Sequence, residues 1–205
     1  MREGQDMGKT VIFDIGGVLA CYDWRDFMRT LFKDEETVDI VYDTMFKHGI
    51  WDELDRGVWS EDELLSAFIK IRPDYEKEIR EFYEKSPQAL QLADYAKDWI
   101  KSVKAKGCRA LYLSNYSEHV IEGNYSALGF LHLMDGGVFS CYVHKIKPNS
   151  DIYECICEKY GLDKRDCIFI DDHEANVQGA LDFGMNGVLF KSYEQARHDV
   201  EELIG

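Results

Sequence analysis

The chain has 205 residues, 45% of them apolar and 13% aromatic, enough for a packed interior and too hydrophobic for a disordered chain. Its 24 basic residues face 39 acidic ones, a net charge of −15, which argues against nucleic acid as a partner because phosphate backbones need a basic footprint. The polar stretch Met1 to Gly8 lacks the apolar centre of a signal peptide and no later run is long enough to span a bilayer, so the expectation is a cytoplasmic protein with no membrane partner.

Thr10-Val11-Ile12-Phe13 is a short β-branched and aromatic run that reads as a buried strand, ending at Asp14 with Gly16 and Gly17 close behind. A carboxylate at the carboxyl end of a buried strand sits where open α/β sheets bind ligands, and glycines let the backbone turn and approach one. Helical periodicity then takes over. Trp24, Phe27, Met28 and Leu31 share one face, as do Val38, Val41, Tyr42 and Met45. His48-Gly49 and Asp55-Arg56-Gly57 mark breaks, Ser60 and Glu63 form a capping box ahead of Leu64, Leu65, Phe68 and Ile69, and Pro73 opens a further helix that ends near Ser86-Pro87. Residues 21–86 therefore read as helical throughout, a bundle inserted after the first strand.

From Gln88 the pattern alternates. Ala96, Trp99, Ile100 and Val103 line a helix closed by Gly107, and Arg109 to Leu113 is a strand stopping at Ser114-Asn115. Gly137 to Cys141 reads as another strand, followed by Lys147-Pro148. A helix with Ile152, Tyr153, Ile156 and Tyr160 inward closes at Gly161, the strand Cys167 to Ile170 ends at Asp171-Asp172, and a helix stops at Gly184. Gly187 to Phe190 is the last strand, and Ser192 with Gln195 caps the last helix. Such alternation implies an α/β fold with a doubly wound, Rossmann-like parallel sheet. The expected division is a discontinuous core of residues 8–20 and 87–205 with an α-helical cap at 21–86. Of the six cysteines, Cys108, Cys141, Cys157 and Cys167 fall in apolar patterns and read as small buried hydrophobes in a reducing compartment, and the Cys155-Ile156-Cys157 spacing does not suit zinc.

In a parallel sheet the strand ends share one edge, so Asp14, Ser114, Lys147 and the pair Asp171-Asp172 can converge. Singly, each has a plain explanation as a turn residue, helix cap or solvated lysine. Jointly, Asp14, Asp171 and Asp172 form a hard oxygen set suited to Mg²⁺, and they would repel one another without a cation. Lys147 and Ser114 supply a charge and a hydroxyl donor that suit a phosphoryl group, and a carboxylate can attack phosphorus to give an aspartyl phosphate.

The stretches Phe13-Asp14-Ile15-Gly16-Gly17-Val18-Leu19, Leu113-Ser114-Asn115, Lys147-Pro148-Asn149-Ser150-Asp151 and Phe169-Ile170-Asp171-Asp172 with Asn176-Val177 resemble the four motifs of the haloacid dehalogenase-like hydrolases. They stand in the same order, with the helical insertion at the position of that family's C1 cap. The nearest subgroup is the C1-capped phosphatases that include glucose-1-phosphate phosphatase and the phosphatase domain of soluble epoxide hydrolase. The resemblance implies Asp14 as nucleophile, Ser114 and Lys147 as phosphate anchors, and Asn115, Gly16 and Gly17 beside the substrate. For the metal it implies Asp14, the Gly16 carbonyl, Asp171 and Asp172, with Asp172 the more direct ligand. It implies Mg²⁺ as cofactor and a small phosphorylated metabolite, for instance a sugar phosphate, as substrate.

One departure stands out. Most family phosphatases carry an acid/base Asp two positions after the nucleophile, where this chain has Gly16. Asp23, His173 or a metal-bound water are the candidate substitutes, and if none serves, turnover should depend steeply on the leaving group. The rival reading is a catalytically weak phosphate-binding relic acting as a sensor or partner surface. A phosphomutase would need the missing acid/base, and the Asp171-Asp172 pair points away from a dehalogenase. Tyr22, Trp24, Arg25, His48 and Trp51 are positional candidates for specificity, with Trp24 and Trp51 read first as bundle core. The bundle is expected to open and close over the sheet edge.

Overall fold

A computed structural model describes residues 8–124 and 127–205. In chain order the elements are β1 (Thr10–Phe13), β2 (Ala20–Tyr22), α1 (Trp24–Leu31), α2 (Glu35–Phe46), α3 (Ile50–Arg56), α4 (Glu61–Ile71), α5 (Glu76–Lys85), β3 (Leu90–Leu92), α6 (Ala96–Ala105), β4 (Arg109–Ser114), α7 (Glu118–Gly123), β5 (Gly136–Phe139), α8 (Ser140–Val143), α9 (Ser150–Tyr160), β6 (Cys167–Asp171), α10 (Glu174–Phe183), β7 (Asn186–Leu189) and α11 (Tyr193–Ile204).

Five strands form one parallel sheet in the order β5-β4-β1-β6-β7. The chain runs outward from central β1 through β4 to β5, then returns to β6 and β7 on the other side. The reversal leaves a crevice at the carboxyl end of β1, the usual ligand position in an open α/β sheet. Strand side chains alternate between two apolar layers. Val11, Phe13, Ile168 and Ile170 pack with Trp99 and Ile100 of α6 and with Ala196 and Val200 of α11. Ile12, Leu111, Leu113 and Phe169 pack with Ile152, Tyr153 and Ile156 of α9 and Ala180 of α10. Phe13 meets Trp99 edge to face, ring centroids 5.0 Å apart, which anchors α6 directly beneath the residue that precedes Asp14.

Helices α1 to α5 enclose their own apolar cluster, centred on Met28, Val41, Met45, Phe68, Ile79 and Phe82. Asp23, Asp34 and Ser60 cap α1, α2 and α4 by accepting backbone N–H groups with their side chains. The expectation of uninterrupted helix from Cys21 is corrected at its start: Ala20–Tyr22 is a strand, antiparallel to Leu90–Leu92. The two chain crossings between sheet and bundle pair with each other and satisfy their backbone groups that way. Two smaller differences follow the same logic of local backbone bonding. Cys141 lies in the helical turn α8 after β5 rather than in the strand, and the stretch after Asn115 contains α7, capped by Ser117.

Candidate active site

Asp14 follows β1 and is 6% exposed. Three donors converge on its Oδ1: the Ile15 N–H at 2.7 Å, Ser114 Oγ at 2.5 Å and Lys147 Nζ at 2.9 Å. Ser114 ends β4, the strand paired in parallel with β1, and from there its hydroxyl reaches across to Asp14. Lys147 is 3% exposed and also holds Asp171 Oδ2 at 2.6 Å. Asp171 ends β6, fully buried, and its carboxylate further accepts Asn176 Nδ2 at 3.1 Å on each oxygen and the His173 N–H at 2.8 Å. Lys147 thus bridges the acids of two adjacent strands.

Asn115 accepts the Lys147 N–H with its Oδ1 at 2.9 Å and donates its Nδ2 to the Lys147 carbonyl at 3.1 Å. The amide fixes the Lys147 backbone at the cis Lys147-Pro148 bond. Gly17 has φ +74°, and a Cβ there would lie 2.2 Å from Asp172 Oδ2, so only glycine lets the Asp172 carboxylate settle against this turn. Gly16 differs: its Cβ would meet nothing closer than the Tyr22 ring at 3.5 Å. Its carbonyl accepts no backbone hydrogen bond among the described residues.

Burial outweighs the attraction of Lys147 at Asp14, and with Asp171 adding repulsion its pKa rises from 3.8 to about 7. Asp172 is raised by burial, an effect that His173 partly offsets. Burial works against the Lys147 ammonium, but Asp14 and Asp171 more than compensate and its pKa is raised. One oxygen each from Asp14, Asp171 and Asp172 lies within 4.8 Å of the others. Three carboxylates and one ammonium leave a formal charge of −2, all on hard oxygen donors, which fits a divalent cation such as Mg²⁺. Asp172 is the least encumbered donor, since Asp171 is filled by Lys147, Asn176 and the His173 N–H.

Asp14, Gly16, Gly17, Ser114, Asn115, Lys147, Asp172 and His173 border one cavity of about 700 Å³, with Asp171 directly behind them. Its other wall belongs to the bundle. Tyr22 stacks on Trp24 at 4.5 Å, and Phe46, Trp51, Asp52 and Asp55 complete that side. Trp24 and Trp51 therefore serve both the bundle core and the cavity wall. Arg25 and His48 do not border the cavity. Arg25 instead pairs with Asp39 over the Tyr42 ring. Asp23 is spent on its helix cap, accepting the Asp26 N–H at 2.9 Å, and His173, with 73% of its side chain accessible, lies 3.8 Å from Asp172.

Two cavity features are new to the structure. Tyr22 Oη donates to Tyr116 Oη beside the site, a pairing of residues 94 positions apart that no local pattern signals. Asp55 faces the cavity from α3, although Asp55-Arg56-Gly57 reads only as a turn in the sequence. A usable sign was present: Asp55 falls four residues after Trp51, on the apolar side of a short helix.

A profile of the haloacid dehalogenase-like hydrolases matches residues 9–184. The chain belongs to that family. Flavin mononucleotide hydrolase 1 of Arabidopsis thaliana is 26% identical over 156 residues, 75% of this chain and 62% of that protein. Phosphatase MT3486 of Mycobacterium tuberculosis is 25% identical over 213 residues, covering 93% and 90% of the two chains. This hydrolase spans less than two thirds of the length of the first relative, and nearly all of the second. Its fold matches a family enzyme of Bacteroides thetaiotaomicron crystallised with magnesium and inorganic phosphate, with TM-score 0.70, 19% identity and 93% and 98% of the chains covered. Among the described residues no helix of this hydrolase is long and apolar enough to cross a membrane.

Proposed function

We propose that this hydrolase is a Mg²⁺-dependent phosphatase acting on a small phosphorylated metabolite through an aspartyl phosphate on Asp14. The observation that carries the reading is the convergence of Asp14, Ser114, Asp171 and Asp172, at the carboxyl ends of adjacent parallel strands, with Lys147 from the loop between α8 and α9. The phosphatase and mononucleotide hydrolase named above support the same reaction class. Mg²⁺ would be held by Asp14, Asp172, the Gly16 carbonyl and, behind them, Asp171. When bound it supplies Lewis acidity toward a phosphoryl oxygen.

The residues of the chain divide the rest. The donors on Asp14 Oδ1 fix the carboxylate and leave Oδ2 to attack phosphorus. Lys147 and the Ser114 hydroxyl offset charge on the transferring group, and Asn115 holds Lys147 in place. The bundle acts as a cap whose aromatic wall, Tyr22, Trp24 and Trp51, faces the leaving group. Flat faces of this kind suit a sugar or aromatic ring. All six cysteines are free, which suits a reducing, cytoplasmic setting.

Gly16 favours a second reading, a phosphate-binding relic without turnover. The deciding assay is hydrolysis of p-nitrophenyl phosphate with Mg²⁺, before and after chelation, followed by a screen of sugar phosphates and flavin mononucleotide. Metal-dependent turnover that vanishes in Asp14→Asn supports the phosphatase. Phosphate binding without turnover supports the relic.

A further inference from the structure

We infer that Asp55, carried on α3 of the bundle, is the proton-transfer residue of this site and takes the place of the carboxylate that Gly16 lacks. The inference rests on the phosphatase reading above. Asp55 borders the cavity together with Asp14, Gly16 and Lys147. Among the described residues its carboxylate has neither a hydrogen-bond donor nor an ion-pair partner, so the group has no structural duty that would occupy it.

Its backbone, in contrast, is fixed to the sheet side of the cavity. Ser140 Oγ donates to the Asp55 carbonyl at 2.6 Å and accepts the Tyr116 N–H at 2.8 Å. Tyr116 lies two residues beyond Ser114, so one serine ties Asp55 to the loop that carries a phosphate anchor. His144 Nδ1 donates to the Arg56 carbonyl at 3.1 Å. Gly57, at φ +68°, lets the end of α3 press against α8, where a Cβ would come within 2.7 Å of the Cys141 carbonyl oxygen. A donor held this firmly against the motif loops is placed for repeated proton transfer.

The groups facing Asp55 are Asp52 on its own helix, Asp14 and Lys147 from the core, Tyr22 and Tyr116 across the cavity, and Cys141 of α8. Burial comes first, Asp52 and Asp14 add repulsion, and Lys147 opposes them, so the carboxyl is raised well above the ordinary carboxylate range, toward neutrality, where one group can both give and take a proton. In the first step an Asp14 carboxylate oxygen forms a bond to phosphorus, the ester P–O bond breaks, and the Asp55 proton passes to the departing oxygen. In the second, Asp55 as carboxylate takes a proton from water as that water attacks phosphorus. The Asp14–phosphorus bond breaks, and inorganic phosphate, the Asp14 carboxylate and protonated Asp55 remain. Atoms and charge balance over the cycle. Asp23 and His173 do not compete, the first being outside the cavity lining and the second turned largely to solvent.

The test is pre-steady-state hydrolysis of p-nitrophenyl phosphate and glycerol 1-phosphate with Mg²⁺, in the wild type, Asp55→Asn, and Asp55→Asn combined with Gly16→Asp. General acid catalysis contributes roughly 10²–10⁴-fold. Asp55→Asn should therefore lower the ratio of alkyl to aryl first-turnover rates by about that factor, and should give a nitrophenol burst because the second step loses its base. Gly16→Asp, whose Cβ meets only ordinary contacts, should raise the ratio again in the double variant. An unchanged ratio in Asp55→Asn overturns the inference, including the case where both rates fall together as a folding defect would produce. A wild type that hydrolyses neither ester overturns the phosphatase reading itself, and this inference with it.

Discussion

Asp55→Asn should make the metal-free protein more stable at high pH and leave it unchanged at low pH. The side chain ionises at 3.8 in the unfolded chain but is held up to about 8 when folded, chiefly by burial. The native state therefore binds the proton more tightly. The stability this group contributes is fully present below pH 3.8 and is lost as pH rises toward 8. At about 1.4 kcal/mol per pH unit the full span of roughly four units corresponds to about 6 kcal/mol. Asp55 is only partly buried, open to the cavity, and solvent screening reduces the expected effect to about 2–3 kcal/mol. An asparagine has the same shape and no charge to strand, and no ion pair is lost with it. Urea unfolding of both proteins between pH 4 and 9, in chelator, measures the difference. The midpoints should coincide near pH 4 and separate steadily to favour the variant by pH 9, with equal denaturant slopes. Parallel curves across the whole range would show that the folded Asp55 ionises normally, and the physical account of its environment would be wrong.

Chelation of divalent metal should abolish turnover, and added Mg²⁺ should restore it; full activity in excess chelator refutes the metal assignment. Lys147→Ala leaves the buried Asp171 without its 2.6 Å cation, so metal-free stability should fall by about 3–5 kcal/mol, read by urea unfolding, with turnover reduced severely. Gly17→Ala sets a Cβ against the Asp172 carboxylate at positive φ, so the Mg²⁺ concentration for half-maximal activity should rise at least tenfold in a metal titration. Trp99→Ala, removing a side chain 1% exposed beneath β1, should cost about 3–5 kcal/mol, measured by chemical denaturation.

Much of the architecture was written in short-range patterns. The central strands β1, β4 and β6 are apolar runs that end at a polar residue, and the long helices show their faces at the helical period, so the parallel core and the inserted bundle were both readable. The convergence of Asp14, Ser114 and Asp171 was readable for the same reason, because strand ends share one edge whatever the details between them, whereas Lys147 reaches them from the loop beyond α8 rather than from the end of β5. The β2–β3 ribbon was not, since Ala20–Tyr22 is three residues long and its partner lies 70 positions later, a pairing set by chain closure rather than by local preference. Asp55 was missed on similar grounds. Its neighbours Tyr116, Ser140 and Lys147 are remote in sequence, and only packing α3 on α8 turns a residue of an apparent turn into one that faces the cavity bordered by Asp14.

The position of Asp55 also changes what Gly16 means. Taken alone, a glycine two residues after Asp14, the proposed nucleophile, implies steep dependence on the leaving group, because nothing on the motif loop can protonate it. With Asp55 as the acid, the series would flatten only while α3 stays seated on α8, where Ser140 and His144 bond its backbone carbonyls and Gly57 packs on Cys141. If the bundle swings away, Asp14 and Lys147 remain assembled on the sheet, but the proton donor departs with α3. Bond breaking is then conditional on closure, and a water that enters the open site meets a nucleophile with no acid beside it. In a core that carries its acid on the motif loop, closure only screens the chemistry from solvent. Under the proposed role of Asp55, closure would complete the catalytic set, and Gly57 and Ser140, which do not border the cavity, would then govern the rate by holding α3 in place.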